Sequence, residues 1–82
     1  MAQADFNERY RTIGKQIAYY RNKRGWTQEF LADKIGISTS YLSKIEAPGS
    51  YKTFSLDVLF LIADALEIDP AHLISPRGWN TR

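Results

Sequence analysis

Apolar residues recur every three or four positions along much of this chain, which is the spacing of one face of an α-helix. The first such stripe indicates a helix that starts near Phe6 and is stopped by Gly25. The stripe comprises Phe6, Tyr10, Ile13, Ile17 and Tyr20. Aromatic and aliphatic side chains at this spacing usually face a protein core, so we expect this helix to pack along its whole length.

Two shorter helices are predicted next, over about residues 28–35 and 39–46. Thr27 and Ser38 stand at their starts, and hydroxyl side chains are good helix N-caps. Between the two segments lies Gly36, which can take a left-handed backbone without strain. The sequence therefore predicts a tight turn between two short helices.

The second short helix has one apolar and one polar face. Leu42 and Ile45 lie three positions apart and can face inward, while the small Ala32 lets the preceding helix cross closely. The outward positions are short and polar and carry one charge: Thr39, Ser40, Ser43 and Lys44. This spacing is typical of a helix-turn-helix, in which the second helix enters the major groove of DNA.

The pattern continues on both sides of the turn. It consists of Ile17, Arg21, Gly25, Trp26, Thr27, Gln28, Leu31, Ala32, Gly36, Ser38, Tyr41, Leu42, Ser43, Ile45 and Glu46. This set resembles the DNA-binding domains of phage Cro and lambda repressor, also called the XRE type, and the similarity covers about residues 13–74. The resemblance implies an all-α fold, a compact five-helix bundle of the lambda-repressor-like type. The chain length indicates a single domain over residues 1–82.

The resemblance also implies which residues read DNA bases. It places Thr39, Ser40, Ser43 and Lys44 against base edges in the major groove. The Lys44 ammonium can donate to guanine O6 and N7, and the Thr39 methyl group can contact a thymine methyl. Since hydroxyl groups discriminate bases weakly, part of the specificity is expected to come from DNA shape. Outside this motif, the same polar face would indicate an ordinary solvated helix.

Contacts to the DNA backbone are expected from Gln28, Ser38, Tyr41 and Lys52. Gln28 can offer its amide group together with the backbone N–H groups of a helix start. Ser38 and Tyr41 offer hydroxyls, with helix capping and core packing as their alternative roles. Lys52 follows the second short helix, and solvent exposure is its alternative.

Arg21 and Glu46 are expected to interact with each other. The resemblance aligns them as a partly buried ion pair that ties the first helix to the end of the recognition helix. Their role would be structural, and the loss of one partner would cost several kcal/mol.

Two further helices are predicted after a loop. Ser55 caps a helix over about residues 56–66, with Leu59, Ile62, Ala63 and Leu66 on its core face. Asp69 and Pro70 begin a short fifth helix that runs to about residue 74. The tail, residues 76–82, shows no period and is expected to be loose. Phe60 and Leu61 on the water-facing side, together with Trp79 of the tail, form a candidate dimer surface.

Composition narrows the class of protein. The chain has 82 residues, enough for one small core, and no cysteine, so its fold cannot rest on disulfides or cysteine-ligated zinc. The net charge is only +2, but residues 1–27 are basic and residues 55–82 are acidic, which favours one face toward a polyanion. The longest apolar run, residues 58–63, is too short to span a membrane, so a cytoplasmic protein is expected.

The sequence offers no catalytic or cofactor motif. The single histidine, His72, has no second metal-ligand residue at a suitable spacing, and there is no glycine-rich phosphate loop or serine nucleophile motif. We therefore expect no enzymatic activity, no metal, no cofactor and no small-molecule ligand.

The sequence, with its family resemblance, indicates a transcriptional regulator that binds double-stranded DNA in a sequence-specific manner. Repression is the expected mode of regulation. The resemblance implies a homodimer on an inverted-repeat operator whose half-sites lie about 34 Å apart. The alternative is a protein-interaction module on the same fold, of the antitoxin or anti-activator kind.

Overall fold

A computed structural model of the chain describes residues 6–49 and 52–75, and over these residues it contains five α-helices and no strand. In chain order they are α1 (Asn7–Lys23), α2 (Gln28–Ile35), α3 (Thr39–Glu46), α4 (Leu56–Leu66) and α5 (Ala71–Ile74). The predicted all-α, five-helix fold is confirmed. The predicted loose tail, including Trp79, lies outside the described residues.

Hydroxyl side chains begin three of the helices, as predicted. Thr27, Ser38 and Ser55 are the N-caps of α2, α3 and α4, and each hydroxyl oxygen accepts a hydrogen bond from the backbone N–H three residues later, at 3.0, 3.0 and 3.2 Å. These bonds satisfy donors that the first turn of a helix leaves without a partner. Gly36 ends α2 with a φ of 80°, so the chain turns where the sequence predicted.

Two local expectations were wrong in detail. Ile17 is fully buried, but Phe6 is 50% exposed, because it precedes α1 and lies at the rim of a cleft beside Leu56 and Ile74 instead of under another helix. The last helix begins one residue later than predicted. Its first N–H, that of Ala71, is nevertheless held by the side chain of Asp69, whose Oδ1 accepts the bond at 2.9 Å.

All five helices share one hydrophobic core. Its members, each at most 2% exposed, are Ile17, Leu31, Ala32, Leu42, Ile45, Leu59, Ile62, Ala63, Leu66 and Leu73. In this arrangement α3 packs against both α1 and α2, and α4 packs against α2 and α1. None of the described helices is sufficiently long and apolar to cross a lipid bilayer.

Gly14 of α1 lies against the backbone at the end of α3. A Cβ atom at this position would overlap the backbone carbonyl oxygen of Ile45 and would lie 3.4 Å from the Cα atom of Glu46. Since both obstacles are backbone atoms, no side-chain rotation could make room. The apolar spacing of α1 did not predict this role of Gly14, although a glycine inside a helical pattern is a local sign of close packing.

We expect the substitution Gly14→Ala to lower the free energy of unfolding by about 1–3 kcal/mol, because α1 and α3 would have to separate. Urea denaturation followed by circular dichroism measures this change. Gly49→Ala is the matched control, since a Cβ atom there would meet nothing within 4 Å. Equal stability of the two variants would contradict the close approach of the helices.

Candidate nucleic-acid interface

The outer face of α3 is open to solvent. Its side chains are the predicted base-reading set, Thr39, Ser40, Ser43 and Lys44, all of which are exposed. The opposite face is buried through Leu42, Ile45 and Glu46. The eight residues of α3 give the helix a length of about 12 Å, which is close to the width of the DNA major groove. A short helix with hydroxyls and one ammonium group on its outer face is thus presented by the bundle.

Ser38 has the capping role that the sequence left open and stays exposed. Its hydroxyl oxygen accepts a hydrogen bond from the backbone N–H of Tyr41, so it caps α3. A hydroxyl group also carries one donor hydrogen, and Ser38 is exposed, so its O–H can still reach a ligand. Capping and phosphate binding are therefore compatible at this residue.

Tyr41 and Lys52 lie beside each other at the edge of α3. Tyr41 is partly buried and packs against the core, which supports its predicted packing role. The Lys52 Nζ atom lies 5.8 Å from the centroid of the Tyr41 ring, a distance at which an ammonium group interacts with an aromatic face. The loop after α3 thus brings a cation next to this helix.

Arg21 and Glu46 form a two-pronged ion pair inside the protein. Arg21 Nε donates to Glu46 Oε2 at 2.9 Å and Arg21 Nη2 donates to Glu46 Oε1 at 2.8 Å. The two side chains are 10% and 3% exposed. Arg21 Nη1 also donates to the backbone carbonyl of Trp26 at 2.6 Å. One guanidinium group therefore joins α1, the corner before α2, and the end of α3.

Gln28 belongs to the same hydrogen-bond network. Its Nε2 atom donates to Glu46 Oε1 at 2.9 Å, so the first residue of α2 is held by the last residue of α3. This contact between Gln28 and Glu46 was not predicted from the sequence. The two residues are 18 positions apart, and no periodic pattern links them.

The candidate dimer surface lies on α4. Phe60 and Leu61 are 46% and 45% exposed, although both are large apolar residues. Leu56, at the start of the same helix, is 62% exposed. This apolar surface is therefore available to another molecule, while its third predicted member, Trp79, is outside the described residues.

The described residues show no arrangement suited to catalysis by a metal ion. Within 6–49 and 52–75 there is no group of three or more histidine or acidic side chains that could hold one. The ring of His72 stacks on that of Tyr20, with centroids 6.4 Å apart, so it has a packing role.

Comparisons with known proteins agree with this geometry. A family model described as helix-turn-helix matches residues 17–73. The transcriptional regulator SlrR of Bacillus subtilis is 38% identical over 61 residues, which cover 74% of this chain and 40% of SlrR. The chain therefore spans well under half the length of this curated relative.

Two solved structures have the same fold over most of the chain. The N-terminal DNA-binding domain of SinR from Bacillus subtilis matches with a TM-score of 0.74 and 29% identity, covering 83% of this chain and 97% of that domain. A crystal structure of SinR, a master regulator of biofilm formation, in complex with DNA matches with a TM-score of 0.70 and 32% identity. That match covers 77% of this chain and 98% of the SinR chain.

The buried ion pair generates a stability prediction. Arg21→Met keeps most of the side-chain volume but leaves the Glu46 carboxylate without its cation, so the free energy of unfolding should fall by about 3–5 kcal/mol. Urea denaturation provides the measurement. The matched control is Arg24→Met, which breaks an exposed ion pair with Glu67 and should change stability by no more than about 1 kcal/mol. Similar losses for both variants would show that burial of the first pair does not matter.

Proposed function

The chain belongs to the helix-turn-helix family, and from this premise we propose that it binds double-stranded DNA through α3 and regulates transcription, as a repressor. The observation that carries the proposal is that α3 exposes a polar face to solvent while its opposite face is buried in the protein. DNA as the ligand implies a cytoplasmic site of action beside the chromosome. No catalytic role is proposed, because the family is one of DNA-binding domains.

The proposed docking places α3 in the major groove. Thr39, Ser40, Ser43 and Lys44 then face base edges, and Lys44 is the one charged member of the set. Gln28, Ser38, Tyr41 and Lys52 surround α3 and are proposed to bind phosphates. Backbone contacts fix the orientation of a protein on the duplex, while base contacts supply sequence discrimination.

The proposed active species is a homodimer that binds an inverted repeat. A single domain with four base-reading side chains makes few specific contacts, and a two-fold arrangement doubles them. The support for this step is the exposed apolar surface of Phe60 and Leu61 on α4. The same surface is the reason to keep a second candidate function, that of a protein-interaction module.

Selection of bound sequences from a random duplex pool tests the function directly. A DNA reader should enrich a palindromic sequence, and the logarithm of its affinity should fall steeply with the logarithm of salt concentration, because phosphate binding releases counterions. On the selected duplex, Lys44→Ala should weaken binding by about 1–3 kcal/mol, and on random duplex by much less.

Lys23→Ala is the control for this measurement. It removes the same charge from an exposed residue outside α3, at the end of α1, and should therefore change binding to the selected and random duplexes to the same extent. Equal losses on selected and random DNA for Lys44→Ala would remove Lys44 from the base-reading set. No enrichment of any sequence, with no salt-dependent binding, would favour the protein-interaction module.

The dimer surface is tested by removing its apolar area. The double substitution Phe60→Ser and Leu61→Ser should shift the chain toward the monomer in sedimentation equilibrium, because buried apolar area drives association. The fold should persist, since both side chains lie outside the core. Tyr19→Ser is the control, because Tyr19 is 52% exposed on α1. An unchanged dimer in the double variant would exclude this surface.

A further inference from the structure

The hydrogen bond between Gln28 and Glu46 fixes which end of the Gln28 amide group faces the protein. An amide has a donor end and an acceptor end, whereas a carboxylate only accepts. Glu46 cannot turn away, because both of its oxygens are held by Arg21 and its side chain is 3% exposed. The nitrogen of Gln28 must therefore point toward Glu46.

This orientation leaves one donor of Gln28 for a ligand. The amide nitrogen carries two hydrogens, and only one of them is used by Glu46. Gln28 is also the first residue of α2, where backbone N–H groups lack partners within the helix. The start of α2 thus carries both a side-chain donor and backbone donors, and backbone N–H groups at helix starts are the groups that bind phosphate.

The charge of Glu46 would oppose this binding if it stood alone, since a carboxylate repels a phosphate. Arg21 offsets this repulsion, because its guanidinium group pairs with both carboxylate oxygens of Glu46. The same ion pair therefore holds the Gln28 amide in place and keeps the site electrically neutral.

We propose that Glu46 is a positioning residue for DNA-backbone binding, which acts by presenting the second N–H of Gln28 to a phosphate. This inference rests on the proposed function. It assigns to the ion pair a role beyond stability, because a side chain that is already oriented loses less conformational freedom when it binds.

A double-mutant cycle on DNA affinity tests the proposal. In the otherwise unchanged protein, Gln28→Ala should weaken binding to selected and random duplexes alike, by roughly tenfold. In a Glu46→Gln background, where the amide is no longer anchored by a carboxylate, Gln28→Ala should change affinity by less than about twofold. The altered net charge of Glu46→Gln is present in both arms of that comparison and cancels.

The matched control repeats the cycle with Glu29→Gln, in place of Glu46→Gln, as the background substitution. Glu29 is an exposed acid in the first turn of α2, so this change removes the same charge near the same phosphate without touching the network. Gln28→Ala should retain its full effect in that background. A full effect of Gln28→Ala in the Glu46→Gln background as well would overturn the proposal and reduce Glu46 to a purely structural residue.

A measurement on the unaltered chain covers the case in which Glu46→Gln fails to fold. The two side-chain amide protons of Gln28, identified as the pair absent from the Gln28→Ala spectrum, should have separate NMR shifts. Addition of the selected duplex should move one of them and leave the proton bound to Glu46 in place. Movement of neither proton, or of both equally, would overturn the proposal.

DNA binding by the chain and positioning of Gln28 by Glu46 can be lost independently of each other. If the unaltered chain binds no duplex, the proposed function is wrong. If it binds duplex DNA but the cycle is additive, the proposed function stands and only the positioning role of Glu46 is wrong.

Discussion

One buried ion pair, between Arg21 and Glu46, determines how the parts of this protein meet. Its charges come from residues 25 positions apart, and burial makes each one costly without the other. The remaining polar atoms are also satisfied, by the carbonyl of Trp26 and the amide of Gln28. No buried side-chain nitrogen or oxygen among the described residues lacks a partner. The ends of α1 and α3 and the start of α2 therefore meet in one arrangement.

The exposed face of α3 is a consequence of this arrangement. The ion pair holds the end of α3, the missing side chain of Gly14 lets α1 approach Ile45 and Glu46, and core packing holds Leu42. With these positions fixed by three different neighbours, α3 cannot rotate about its axis. Its four outward side chains therefore keep one orientation. They would lose less conformational entropy on binding to a rigid DNA groove.

Local chemistry explains what the sequence could predict. Thr27, Ser38 and Gly36 specify their cap and turn without help from distant residues, so the bounds of α2 and α3 were predicted correctly. The proposed base-reading residues came from family resemblance and not from periodicity alone. The resemblance supplied the contact between Arg21 and Glu46. Other contacts across the fold, such as Gly14 with Ile45, were not predictable, because helical spacing shows which face is inward but not which atom lies opposite.

The distribution of charge explains why the proposed DNA-binding function would need both the outer face of α3 and the apolar surface of α4. The outer face of α3 carries a single ammonium group, that of Lys44, so one domain gains little electrostatic affinity from it. The proposed dimer through Phe60 and Leu61 would make the second half-site contact intramolecular, so that weak contacts would combine into strong binding. Because α4 packs on α1 and α2, its outer surface can vary without disturbing α3. The strength of the α4 contact would thus set the protein concentration at which a symmetric operator becomes occupied.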